Sequence, residues 1–145
     1  MTPEQIKAIQ ESFAKVAPIS EQAAALFYGR LFEIDPAIKP LFHGDMTEQG
    51  RKLMATLAVV VNNLSNLGAV LPAVSALAKR HVAYGVKPAH YTPVGEALLW
   101  TLQQGLGVSW RPKLAAAWAA AYGVLSEYMI AEAMAAALPP SRAAL

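Results

Sequence analysis

Three histidines, five tyrosines and no cysteine bound the chemistry this chain can do. Without thiols there are no disulfides, iron–sulfur clusters, thiolate metal sites or cysteine nucleophiles. Of the histidines, His81 stands in the most informative surroundings, the stretch LPAVSALAKRHVAYGVKPAHY. Val74, Leu77, Ala78 and His81 recur at helical spacing and share one face, so the imidazole lies on the apolar side. A neutral imidazole held there, near a helix end, is a good ligand for a buried iron. The same position also suits a core histidine hydrogen-bonded to backbone. His43 and His90 lie in loop contexts and read as solvent-exposed.

Two further polar residues sit on apolar stripes. Tyr28 falls among Ala24, Phe27, Leu31 and Phe32, so its hydroxyl needs a partner, a polar cavity or a route to the surface. Gln49 stands four residues before Leu53, on the same face of its helix; that suits a pocket mouth or an exposed first turn.

The elements that must position these groups are helices. Thr2, Pro3 and Gln5 form a capping-box start, and Ile6, Ile9, Phe13 and Val16 make the first stripe until Pro18. Ser20 is expected to cap a second helix, ended by Asp35-Pro36, and Pro36–Leu41 forms a short corner before Phe42. Thr47 is expected to cap a long helix to about Leu67, carrying Leu53, Met54, Leu57, Val60, Val61 and Leu64. Gly85 ends the His81 helix, and Lys87-Pro88 prevents its resumption. Thr92-Pro93 open another, with Val94, Leu98, Leu99 and Leu102. The last begins at Ser109–Pro112 and turns Leu114, Trp118, Tyr122, Leu125, Met129 and Ala133 inward until Pro139. The expected fold is all-α: six main helices and a short corner helix, without a coiled-coil heptad.

A chain of 145 residues makes one domain, and its 55% hydrophobic content can enclose an apolar cavity. The formal charge of +2, with no basic run, gives no sign of nucleic acid. The apolar tract Leu114–Leu138 is interrupted by Glu127 and Glu132, so a mostly buried soluble helix is expected rather than a membrane span. The start MTPEQIKAIQ lacks a signal-peptide pattern, so the expected location is the cytoplasm.

Taken in order, these signatures resemble a globin. The segments LFYGRLF, QGRKLM and KRHVAYGVKPAHYTPVGEALL, with AWAAAYGVLSEYM, are similar to the haem domains of flavohaemoglobins and to bacterial single-domain globins. The resemblance implies a globin domain over residues 1–138, with 139–145 expected to be a mobile tail. It also implies haem b as cofactor and His81 as the proximal metal ligand. Phe42 would stack on the porphyrin, and Tyr28 and Gln49 would face the gas site as catalytic residues. Leu53 and Leu57 would wall the distal side, Leu77, Val86 and Val94 would line the proximal side and edge, and Tyr91 could orient His81.

Two departures from that family matter. Its proximal glutamate aligns with Ala133. The adjacent Glu132 is about 100° away on the helix. The chain also stops at Leu145 without flavin or nicotinamide domains, so a separate reductase is expected. The implied function is binding of O2, NO and CO, with nitric oxide dioxygenation as the reaction. The alternatives are oxygen storage, transport or sensing without catalysis, and a haem-free globin-like module.

Overall fold

The computed structural model describes residues 1–137, and among them every regular element is helical. Six α-helices follow in order: α1 Pro3–Val16, α2 Ser20–Ile34, α3 Met46–Asn62, α4 Leu71–Ala83, α5 Tyr91–Leu106 and α6 Pro112–Ala137. A 3-10 corner at Pro36–Leu41 joins α2 to the loop before α3, as Asp35-Pro36 predicts. Asp35 begins it by accepting a hydrogen bond from the Ala37 amide. The tail expectation for 139–145, and the stop at Pro139, lie outside the described residues.

Helix starts and stops follow side-chain chemistry. Thr2 and Gln5 form the expected reciprocal capping box of α1. Four other boundaries differ from expectation. Asp45, not Thr47, caps α3, its carboxylate accepting from the Thr47 amide at 2.8 Å. α2 starts at Ser20 without a side-chain cap, and α5 starts at Tyr91, just after a 3-10 turn at Pro88–His90. The expected long third helix stops at Asn62 and continues as 3-10 turns over Leu64–Ala69. There the Asn63 side chain donates to the Val59 carbonyl at 2.7 Å, the local competition that makes asparagine a weak helix residue.

The core forms where the apolar stripes meet. Ile9, Phe13 and Val16 of α1, Phe27 and Leu31 of α2, Val60 and Val61 of α3, and Leu98 and Leu102 of α5 are all buried. Trp118 joins α6 to α1 by donating to Ser12 Oγ at 2.9 Å. Gly50 lets α3 come close to α2, since a Cβ there would sit 2.9 Å from that of Ala24. Gly95 likewise admits the Tyr122 ring between α5 and α6. α6 is long and apolar enough to cross a membrane by composition alone, but it packs along α4 and α1. It is not mostly buried, contrary to expectation. Of its described side chains only Ala117, Trp118 and Met129 are buried, because alanine fills its outer face.

Candidate functional site

The site is built from the end of α4, the start of α3, the corner before it, and the middle of α2. α4 ends in a Schellman arrangement. Gly85 adopts φ +90°, the Val86 amide donates to the His81 carbonyl at 3.0 Å, and the Gly85 amide donates to that of Val82. A side chain at Gly85 would strain the backbone and also meet Leu41 of the corner. The glycine therefore sets where His81 stands.

His81 Nδ1 lies 2.8 Å from the Leu77 carbonyl. A carbonyl only accepts, so Nδ1 carries the proton and, in the neutral ring, Nε2 keeps its lone pair. Burial lowers the imidazole pKa below its ordinary value, against the opposing Leu77 hydrogen bond, and the Arg80 charge lowers it further. The ring is then neutral at pH 7, with Nε2 free to bind a metal. The backbone bond expected of a core histidine is present, and it is also what fixes a ligand's tautomer.

In α2, Tyr28 is buried, so the surface-reaching alternative does not hold. Phe27 and Phe42 meet its ring edge-on at 5.1 and 5.3 Å, and Phe32 stacks at 6.2 Å. Its hydroxyl donates to the Gln49 backbone carbonyl at 3.3 Å. That is long for an O–H···O bond, so the proton is weakly tied and free to turn to another acceptor. Gln49 itself is half-buried, and the contact with Tyr28 runs through its main chain.

The remaining expected residues form a half-buried apolar set: Phe42, Leu53, Leu57, Leu77, Val86 and Val94. Leu53 and Leu57 also line a small apolar void of about 10 Å³ with Phe27 and Leu98. A larger surface hollow, about 530 Å³, lies by Met1, Ile6 and Leu64 and holds none of the candidate residues. α4 packs on α6 and on the turn before it, and only slightly on α3 or α5.

Tyr91 differs from its expected role. His81 is held by Leu77 instead, and the Tyr91 hydroxyl is buried without a hydrogen-bond partner. Glu132 accepts from Tyr128 at 3.0 Å and lies near Ser75 and Lys79 of α4, so it does not take the place of a carboxylate on His81. His90 is not a ligand candidate: its Nδ1 accepts from the Lys87 amide and caps the turn before α5. His43 is exposed. Tyr122 was expected only as an inward-facing residue of the last helix; sequence reasoning missed that its hydroxyl donates to the Tyr91 carbonyl and anchors the start of α5. It also missed Tyr84, whose ring lies 6.3 Å from that of His81. Tyr84 is three residues after His81, a spacing that could have signalled the pair.

A family model for globins matches residues 25–129. The chain belongs to the globin family. This globin is 31% identical over 86% of its length to a flavohemoprotein of Rhodopirellula baltica, and 33% identical over 90% to one of Bordetella parapertussis. It spans only about a third of the length of those curated relatives, 31% and 33% respectively. Among solved structures it is similar to a bacterial globin of Campylobacter jejuni, with TM-score 0.81, 28% identity and coverage of 92% of this chain and 96% of that one. An engineered carbene transferase from Rhodothermus marinus gives TM-score 0.86 at 24% identity, covering 94% and 95%, which speaks to the fold.

Globins bind haem and small gases, and the residues here fit such a group. An imidazole with a free Nε2, a set of half-buried apolar side chains and an orphaned buried hydroxyl on Tyr91 are what a flat, mostly apolar cofactor would complete.

The phenols carry a pH prediction. Burial pushes Tyr28 up to about 12 and raises Tyr91; burial and the nearby Tyr91 raise Tyr122 as well. Unfolded tyrosines ionise near about 10, whereas these hold their protons to higher pH. Above about 10 the folded state therefore binds more protons, and stability must fall as pH rises. Denaturation midpoints measured across the alkaline range should fall in step with the appearance of phenolate absorbance. Midpoints that stay flat past that absorbance rise would contradict the burial of these hydroxyls.

Proposed function

We propose that this globin carries haem b, whose iron His81 would hold, binds O2, NO and CO near Tyr28, and acts as a nitric oxide dioxygenase supplied with electrons by a separate reductase. The haem, when bound, supplies an iron that takes diatomic gases and, given O2 and NO, yields nitrate. His81 offers Nε2 to that iron, with Leu77 fixing the ring plane through Nδ1. Phe42, Leu53, Leu57, Leu77 and Val94 exclude water, which strengthens any hydrogen bond made inside.

The observation that carries this reading is the Tyr28 hydroxyl. It is buried, protonated at physiological pH, and held only weakly by the Gln49 carbonyl. Turned toward a polarised gas ligand, it would slow release and lengthen the time in which NO can react. Stopped-flow mixing of the oxygenated protein with NO should give nitrate in proportion to the oxygenated form consumed. Consumption without nitrate would sink the dioxygenase assignment.

A second reading, oxygen storage or sensing, draws on the proximal side. His81 has a backbone carbonyl as partner, while Glu132 is engaged by Tyr128 and Ala133 carries no carboxylate. Rapid O2 release and slow turnover with any reductase would favour it.

A further inference from the structure

We infer that the surface over the end of α4 is the docking face for an acidic one-electron carrier protein. Its apolar centre is Val82, Ala83 and Tyr84, and its rim is Lys79, Arg80 and Lys87. This rests on the haem reading above and adds the kind of partner and where it binds.

The first observation is charge. Between Glu48 and Glu96 the sequence holds no carboxylate but has Arg51, Lys52, Lys79, Arg80 and Lys87. Arg51 is paired with Glu48 at 3.7 Å. Glu132 of α6 lies near Lys79. Arg80 and Lys87 are exposed and make no ion pair among the described residues, so their charge faces water uncompensated.

The second observation is what these cations surround. Val82 is 39% and Tyr84 60% exposed, and they flank the exposed Ala83 on its two sides at the end of α4. Arg80 and Tyr84 stand four apart and are neighbours on the helix surface. A small apolar centre with a charged rim is the anatomy of a short-lived protein encounter. The rim steers the partner and the centre holds it briefly.

The third observation is location. The Tyr84 ring is 6.3 Å from the His81 imidazole, tilted 47° to it. A carrier seated on Tyr84 is one ring away from the candidate iron ligand. One electron leaves the reduced carrier and converts ferric to ferrous iron; no bond is made or broken and no proton need move. The position beside His81 favours a redox protein over an anionic membrane, which would need a broader basic apolar face.

The test uses the haem-loaded protein and a reduced acidic [2Fe–2S] ferredoxin. Reduction should be fast at low salt and at least about tenfold slower in about 1 M salt, where the screening length is about 3 Å. The combined Lys79→Glu, Arg80→Glu and Lys87→Glu variant should lose about tenfold at low salt and match the parent at high salt. Calorimetric titration with ferredoxin should lose its binding signal in parallel. Photoreduced deazariboflavin, small and uncharged, should reduce both proteins equally. A ferredoxin rate indifferent to salt and to charge reversal would overturn the proposal. So would tighter binding of the parent to anionic phospholipid vesicles than to ferredoxin, or a parent dimer that the charge-reversed variant breaks. A protein with no Soret band would refute the haem reading instead.

Discussion

His81→Gly should leave the protein folded but unable to retain haem, and added imidazole should restore the pigment. The fold should survive because the imidazole is only half-buried and makes one hydrogen bond, to Leu77. Losing that bond costs about 1 kcal/mol, and glycine within a helix costs up to about 1 kcal/mol more relative to alanine. Helix content by circular dichroism should then stay close to the parent's. The metal bond has no such substitute. His81 Nε2 is a half-buried ring nitrogen with a free lone pair, whereas His90 Nδ1 caps a turn and His43 stands in an exposed loop. Purified variant should therefore lack the Soret band. Free imidazole, entering the space left by the side chain, should bring it back. A core histidine with no metal role predicts the reverse: a modest loss of stability and no response to imidazole. Haem retained at the parent's level, with an unchanged spectrum and no imidazole added, would refute the assignment.

How far this site could be seen in the sequence depended on the kind of signal. The apolar stripes of α1, α2 and α5 are strong 3.6-residue patterns, and burial follows them closely, from Ile9 through Leu31 to Leu102. His81 was legible for the same reason, and Gly85 because a positive φ is what glycine supplies at a helix end. Boundaries set by competing hydrogen bonds were harder. Both Asp45 and Thr47 can cap α3, and nothing in their spacing says which wins. The Asn63 side chain ends α3 early through a bond that hydrophobic periodicity cannot register. Long-range closures were invisible. The Gly95–Tyr122 approach and the Tyr122 bond to the Tyr91 carbonyl join residues 27 and 31 positions apart. Tyr28 was ambiguous because a tyrosine on an apolar stripe can bury its ring and still send its oxygen to water. The cage of Phe27, Phe32 and Phe42 resolves that, and Phe42 comes from a different element.

That cage is also why Tyr28→Phe should be a clean experiment with a large effect. The substitution removes one oxygen and leaves the ring contacts with Phe27, Phe32 and Phe42 in place. The bond it deletes, to the Gln49 carbonyl, is long at 3.3 Å, and stability should fall by no more than about 1 kcal/mol. The effect on gas release should be far greater. A phenol donating to a ligand that carries partial negative charge, inside a dry pocket, contributes about 1.5–3 kcal/mol. At 1.4 kcal/mol per decade this is about ten- to a hundredfold in affinity, expected mainly as faster O2 dissociation. CO, which polarises less, should be released at nearly the parent's rate, so the O2-to-CO ratio isolates the hydrogen bond from any general loosening of the pocket. An unchanged O2 rate would mean that the hydroxyl stays on the Gln49 carbonyl and serves to tie α2 to α3. Gln49→Val then decides between the remaining arrangements. If the Gln49 amide is the donor, this second variant alone should speed release; if Tyr28 is, the Gln49 variant should keep slow release and the double variant should match Tyr28→Phe.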